Sequence, residues 1–240
     1  MAGKRVKLRI IIILLFILFC FTGCSFFNKK EMVKKTPESL YSRGSVEFQN
    51  SNYKKAREYF LQLKEEYPLH NLTILAEIGI ADSYYSDKEY MEAESAYNDF
   101  ITFHPTNENV PYALYQLGLC HYNRMEDIDR DQMETVKALK EWEKLVARYP
   151  ESKLSTTAAK LIRECKQKLA EQEFYVGQFY FKQKKYQAAL ARFETVAKNY
   201  ANVGLDYKIE YFINETKIKI AEEEKFKKAK EEKSEAVKGQ

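Results

Sequence analysis

Four times along this 240-residue chain the same set of small and bulky positions returns at nearly constant spacing, and that recurrence limits the fold more than any other feature. Gly44, Ala56, Phe60 and Pro68 set the pattern, with separations of 12, 4 and 8 residues. Ala81, Ala93, Tyr97 and Pro105 repeat it without a gap. Gly118, Ala138, Trp142 and Pro150 repeat it with eight extra residues before the alanine, in the polar stretch Met125 to Gln132. Gly177, Ala189 and Phe193 give a fourth copy, in which Ala201 stands where the proline should be. The spacing has a physical reading. Two small residues let a pair of antiparallel helices approach closely, the ring fills the space they leave, and proline ends the second helix because it lacks an N–H and disfavours helical geometry just before it. One such hairpin cannot bury its apolar face alone, so neighbours must stack.

The period is that of tetratricopeptide repeats, and the chain is expected to be all-α, a tetratricopeptide-like solenoid of about five helical hairpins. Only eight glycines and five prolines interrupt a composition rich in helix formers. Helices are expected over Glu38–Asn50, Tyr53–Glu66, Leu72–Ser86, Tyr90–Phe103, Val110–Arg124, Gln132–Arg148, Lys153–Lys168, Glu171–Lys184, Tyr186–Asn199 and Leu205 to about Lys228. Residues 153–184 contain no Gly or Pro before Gly177, so one long helix there is the alternative to two. Asn52, Asp131 and Ser152 stand where side-chain oxygens could cap helix starts.

A leader precedes the repeats. Lys4, Arg5, Lys7 and Arg9 come before the apolar run Ile10–Phe21, and Phe21-Thr22-Gly23-Cys24 closes it as a lipoprotein signal peptide closes before its acylated cysteine. Twelve apolar residues are too few to span a bilayer, which takes roughly 20 in a helix. Residues 1–23 are therefore expected to be a signal peptide, Cys24 the lipidation site that holds the chain to the membrane, and residues 24–36 a tether. Ser25 after the cysteine goes, by analogy with lipoproteins generally, with delivery to the outer membrane. Four of the 39 basic residues leave with that leader, and the remainder balance the 35 acidic ones. Nucleic acid as a partner has no overall electrostatic support.

No chemistry-bearing motif stands out. His70, His104 and His121 lack metal-ligand spacing, and no phosphate loop or nucleophile signature occurs, so no cofactor, no metal and no catalytic residue is expected and the chain reads as a non-enzyme. Cys120 and Cys165 lie in apolar helical stretches, where a free buried thiol is the commoner state, while a periplasmic disulfide between them stays open. What does stand out is a surface. In a stack of such hairpins the first helix of each pair lines the concave face, which here receives Tyr41, Phe48, Leu75, Ile78, Asp82, Tyr85, Tyr112, Tyr115, Leu119 and Tyr122. Rings with an apolar body and a polar tip suit an extended peptide, so Tyr41, Phe48, Tyr85, Tyr112, Tyr115 and Tyr122 are the candidate peptide-binding residues. The division is expected as residues 37–123, the N-terminal repeats; 124–131, an insertion between helices; 132–225, the C-terminal repeats; and 226–240, a charged tail.

Further residues carry a resemblance. Phe100-Ile101, His104-Pro105-Thr106-Asn107, Val110-Pro111-Tyr112-Ala113, Tyr115 and Gly118 are followed by Asp129-Arg130-Asp131-Gln132, by Leu145-Val146 with Arg148-Tyr149-Pro150-Glu151-Ser152, by Leu169-Ala170 with Glu173, and by Gly177, Tyr180, Ala188-Ala189 and Arg192-Phe193. Over residues 36–202 the chain resembles the BamD (ComL) family, the tetratricopeptide lipoproteins of the outer-membrane β-barrel assembly machinery. The resemblance implies a lipid-anchored scaffold at the periplasmic face of the outer membrane. Its N-terminal repeats would receive the C-terminal signal of unfolded outer-membrane proteins, and its C-terminal repeats would dock a BamA-type barrel protein. Carried onto this chain, the first role falls on the tyrosine-lined face and the second on the Tyr186–Asn199 hairpin with Arg192. Arg130 would organise its loop between Asp129 and Asp131. The missing proline at Ala201 and the Lys/Glu-rich end depart from the family pattern, which leaves contacts with accessory Bam lipoproteins open. The alternative reading is another tetratricopeptide envelope lipoprotein, a scaffold for pilus assembly or cell-wall coordination.

Overall fold

The computed structural model describes residues 35–238, and among these every regular element is an α-helix. The leader, Cys24 and the tether up to residue 34 lie outside the described residues. The helices are α1 (Pro37–Gln49), α2 (Tyr53–Glu66), α3 (Asn71–Ser86), α4 (Tyr90–Phe103), α5 (Val110–Tyr122), α6 (Met133–Arg148), α7 (Lys153–Lys182), α8 (Tyr186–Asn199) and α9 (Asp206–Lys238). Each packs chiefly on its neighbours in sequence, the arrangement of a helical solenoid. None of the described helices is long and apolar enough to cross a membrane.

The repeated positions form the packing slots. Ala56, Ala81, Ala93, Ala138 and Ala189 are fully buried, and Phe60, Tyr97, Trp142 and Phe193 are buried in the slots beside them. A methyl group added at Gly44 would sit 2.5 Å from the Phe60 ring, and one at Gly177 would sit 2.5 Å from Phe193, so those helix crossings admit only glycine without displacement. Gly79, which the repeat pattern did not single out, closes on the other side of Phe60. Burying rings of this size contributes about 2–3 kcal/mol each. Rings that carry a polar atom need a partner as well. Trp142 donates its Nε1–H to the Tyr115 carbonyl at 3.1 Å, and Tyr97 donates its hydroxyl to Asp82 at 2.5 Å.

Helix ends follow local chemistry. Tyr67, His104 and Tyr149, each before a proline, leave their helices at φ between −127° and −136° with ψ of 55° to 58°. Tyr200 leaves α8 at φ −132° and ψ 40° with Ala201 in the proline's place, so packing of the repeat holds this exit even without the ring. Turns inside three hairpins place Ser51, Lys88 and Lys184 at φ near +60°, and the following amides bond back to Glu47, Tyr84 and Tyr180 at 2.8 to 2.9 Å. Ser152 caps α7, accepting from the Leu154 amide, whereas Asp131 stands one residue before the cap position of α6 and accepts from the Met133 amide. Asn52 does not cap: its amide group donates instead to Glu47. His70 caps α3 through Nδ1, which accepts from the Leu72 amide.

One open alternative is decided and one expected boundary is corrected. The helices expected over Lys153–Lys168 and Glu171–Lys184 are one rod, α7, because Lys168, Leu169, Ala170 and Glu171 all favour helix and nothing between them frees the backbone. Nine helices are therefore seen among the described residues where ten were expected. The last helix also runs on through the charged tail to Lys238 instead of ending near Lys228.

The core follows from that rod. One cluster reaches from α3 to the first half of α7, ending at Ala158 and Cys165, and a smaller one around Leu40 and Phe60 adjoins it. The other begins at Ala170 and Phe174 on the second half of α7 and includes Phe193 of α8 and Ile209 of α9. Phe174, Phe193 and Phe212 meet there with ring centroids 5.2 to 5.7 Å apart. No substantial helix–helix contact among the described residues joins α8 or α9 to α1–α6, so α7 is the element on which both bodies rest.

Candidate functional site

Helices α1 and α3 present side chains at three- and four-residue intervals, and where their faces meet α5 they form an open groove of about 410 Å³. Tyr41, Ser45, Phe48 and Gln49 of α1 line one side, Leu75, Ile78 and Asp82 of α3 the floor, and Asn109 with Tyr112 the far side. Phe60 reaches the groove from α2 beneath Tyr41, with ring centroids 5.7 Å apart. Phe48 is steadied by an edge contact with Tyr53 at 5.4 Å.

At the α5 end stands a small polar network. The Tyr97 and Tyr112 hydroxyls both donate to Asp82 Oδ1, at 2.5 and 2.9 Å, and Gln116 donates to the Tyr112 oxygen at 2.7 Å. Burial pushes the Asp82 carboxyl above its ordinary range, against the two phenols that favour its ionised form. The Tyr112 phenol is pushed up in turn, by burial first and then by the Asp82 charge.

Three of the six expected peptide-binding residues, Tyr41, Phe48 and Tyr112, thus come together. The other three do not join the groove. Tyr85 packs edge-on to Tyr90 and accepts from Asn123, while Tyr115 and Tyr122 lean on Trp142. The Tyr122 hydroxyl donates to Glu164 on α7, which ties the ring to the core instead of freeing it for a ligand. Ser45 and Gln49 were missed, although each follows a groove residue at the spacing of one helical face. Asn109 sits in the turn before α5 and had no periodic signal.

Around the insertion, Gln132 is the organiser instead of Arg130. Its buried side chain donates to the carbonyls of Asp127 and Arg130 at 2.7 and 3.2 Å and accepts from the Thr135 hydroxyl at 2.8 Å. Asp129, Arg130 and Asp131 are exposed, and no ion pair among the described residues includes Arg130. Below this loop Arg124 bridges Glu94 and Glu134 at 2.5 Å each, with buried His121 2.9 Å from Glu134. Glu94, His121 and Glu134 have the ligand atoms of a small metal site, but the guanidinium already holds the place a cation would take. His104 pairs with Glu77 at 2.6 Å. Cys120 and Cys165 are free and buried, and burial pushes both thiols up to about 12. In the second body Arg192 is exposed on α8 and meets Glu173 of α7 at 3.0 Å.

The BamD proteins of Rickettsia prowazekii and Caulobacter vibrioides, both named outer membrane protein assembly factor, are 31% and 28% identical over 178 and 181 residues. Each alignment covers 74% of this chain, and they cover 71% and 59% of those two proteins. Among solved structures, MamA 41-end from Desulfovibrio magneticus RS-1 overlays with a TM-score of 0.39 at 18% identity, over 69% of this chain and 76% of that one. Residues 33–232 match the family described as YfiO, outer membrane lipoprotein, and the chain belongs to that family, with BamD assembly factors as its relatives.

Proposed function

We propose that this chain is a non-enzymatic outer-membrane protein assembly factor, and that its aromatic groove receives segments of unfolded outer-membrane proteins while the α7–α9 body docks a BamA-type barrel protein. The relatives' names support the general role, and the groove of Tyr41, Phe48 and Tyr112 carries the particular one. Its rings offer apolar contact with polar tips, which an extended chain can use without a fixed sequence. Exposed Arg192 on α8, outside the groove, is the residue we assign to partner docking. Lipidation of Cys24 would hold both surfaces at the periplasmic face of the outer membrane, within reach of nascent barrels.

A pull-down from the organism's own membranes in mild detergent separates the two roles. Tyr41→Ala with Phe48→Ala should lower recovery of unfolded barrel peptides severalfold and leave the BamA-type partner in place, whereas Arg192→Glu should do the reverse. Recovery of secretin subunits or cell-wall enzymes without any barrel partner would favour the envelope-scaffold alternative.

A further inference from the structure

Among the described residues Asp82 is the only charged side chain lining the groove, and no basic side chain among them pairs with it. Both phenols converge on Oδ1. No hydrogen bond among the described residues reaches Oδ2, and Asp82 lines the groove.

Packing does not require a charge there. The slot ring Tyr97 needs only an acceptor, and Trp142, in the same slot one repeat later, is satisfied by a main-chain carbonyl. Phe60 and Phe193 need none. A largely buried carboxylate without a counter-ion is unfavourable for the free protein, and this one lines the space a ligand would fill.

We propose that the groove's occupant carries a lysine or arginine next to an aromatic or aliphatic residue, with the cation meeting Asp82 Oδ2 and the apolar side chain lying between Tyr41, Phe48 and Tyr112. This rests on the reading of the groove as a receiver of unfolded barrel segments, and it names what part of such a segment binds there. The open faces of Tyr41 and Tyr112 add attraction for the same cation. A free C-terminal carboxylate is turned away from this end of the groove, since two carboxylates in contact cannot both stay ionised. Asp82 therefore selects an internal cationic segment and fixes which way the peptide runs.

The test is fluorescence anisotropy on the full chain in detergent with labelled, C-terminally amidated decapeptides that alternate aromatic and serine residues. One central position is lysine, norleucine or glutamate. The lysine peptide should bind at least about fivefold more tightly than the norleucine peptide, equivalent to about 1 kcal/mol, with the glutamate peptide weakest. Asp82→Asn, which keeps an acceptor for both phenols, should abolish the lysine preference, so that lysine and norleucine peptides bind alike. Equal binding of lysine and norleucine peptides, lost on Phe48→Ala, would overturn the role of Asp82 and leave the groove reading intact. Binding indifferent to Phe48→Ala, or no binding of any peptide, would overturn both. The comparison among peptides on the unaltered chain decides the matter even if Asp82→Asn does not fold.

Discussion

Asp82 shows how one side chain can serve packing and recognition with opposite consequences for stability. Its carboxyl has a pKa raised by burial, so the fold prefers it protonated. The stability from that preference is complete below the unfolded-state pKa and is lost as pH rises through the raised value. At neutral pH the folded chain therefore holds an ionised group at a cost. Asp82→Asn is expected to stabilise the protein at pH 7, and the gain should shrink as acid protonates the wild-type carboxyl; thermal melts of both proteins across pH 3–7 would show it. A variant more stable than wild type yet poorer at binding cationic peptides is what a functional charge predicts. A variant less stable at pH 7 would mean the charge itself holds Tyr97 and Tyr112 in place.

Between neighbouring helices, the slots were legible in advance because glycine, alanine and a ring at fixed spacing encode an approach distance. Gly44, Ala56 and Phe60 meet as their spacing requires. Proline was a less faithful guide, since Tyr200 leaves α8 in the same way without one. The groove was only half legible. Position within the repeat marked Tyr41, Phe48 and Tyr112, which line the groove, but it marked Tyr85, Tyr115 and Tyr122 equally, and their partners, Tyr90, Asn123, Trp142 and Glu164, lie outside the repeat positions that marked them. The same limit hid the knot of α4, α5 and α6. Burial raises Glu134, yet hydrogen bonds from His121, Arg124 and Lys137 and the Arg124 charge hold it down to about 2. Because its folded pKa is depressed, this pairing stabilises the fold above the normal glutamate range and is lost as pH falls from about 4.5 towards 2. Glu134→Gln should cost about 2 kcal/mol at pH 7 and much less at pH 3, measured by urea unfolding.

For the molecule as a whole, α7 is the part that matters most, because both bodies rest on it and little else joins them. Its 30 residues span about 45 Å. Between Cys165, the last fully buried residue of the first body's core, and Ala170, the first of the second's, the helix is the main structural link among the described residues. Their relative orientation is therefore a matter of counting. Each residue added there advances the second body by about 1.5 Å and turns it by about 100°. Two alanines inserted after Gln167 would swing Arg192 to nearly the opposite side of the groove, whereas seven would return it to within about 20° at about 10 Å greater distance. Both insertions should leave each body folded, as paired melting transitions would report, but only the seven-residue one should support barrel assembly when the native protein is depleted. A ruler that tolerates length far better than phase would allow related chains to differ here by whole turns of helix, and penalise any that differ by half of one.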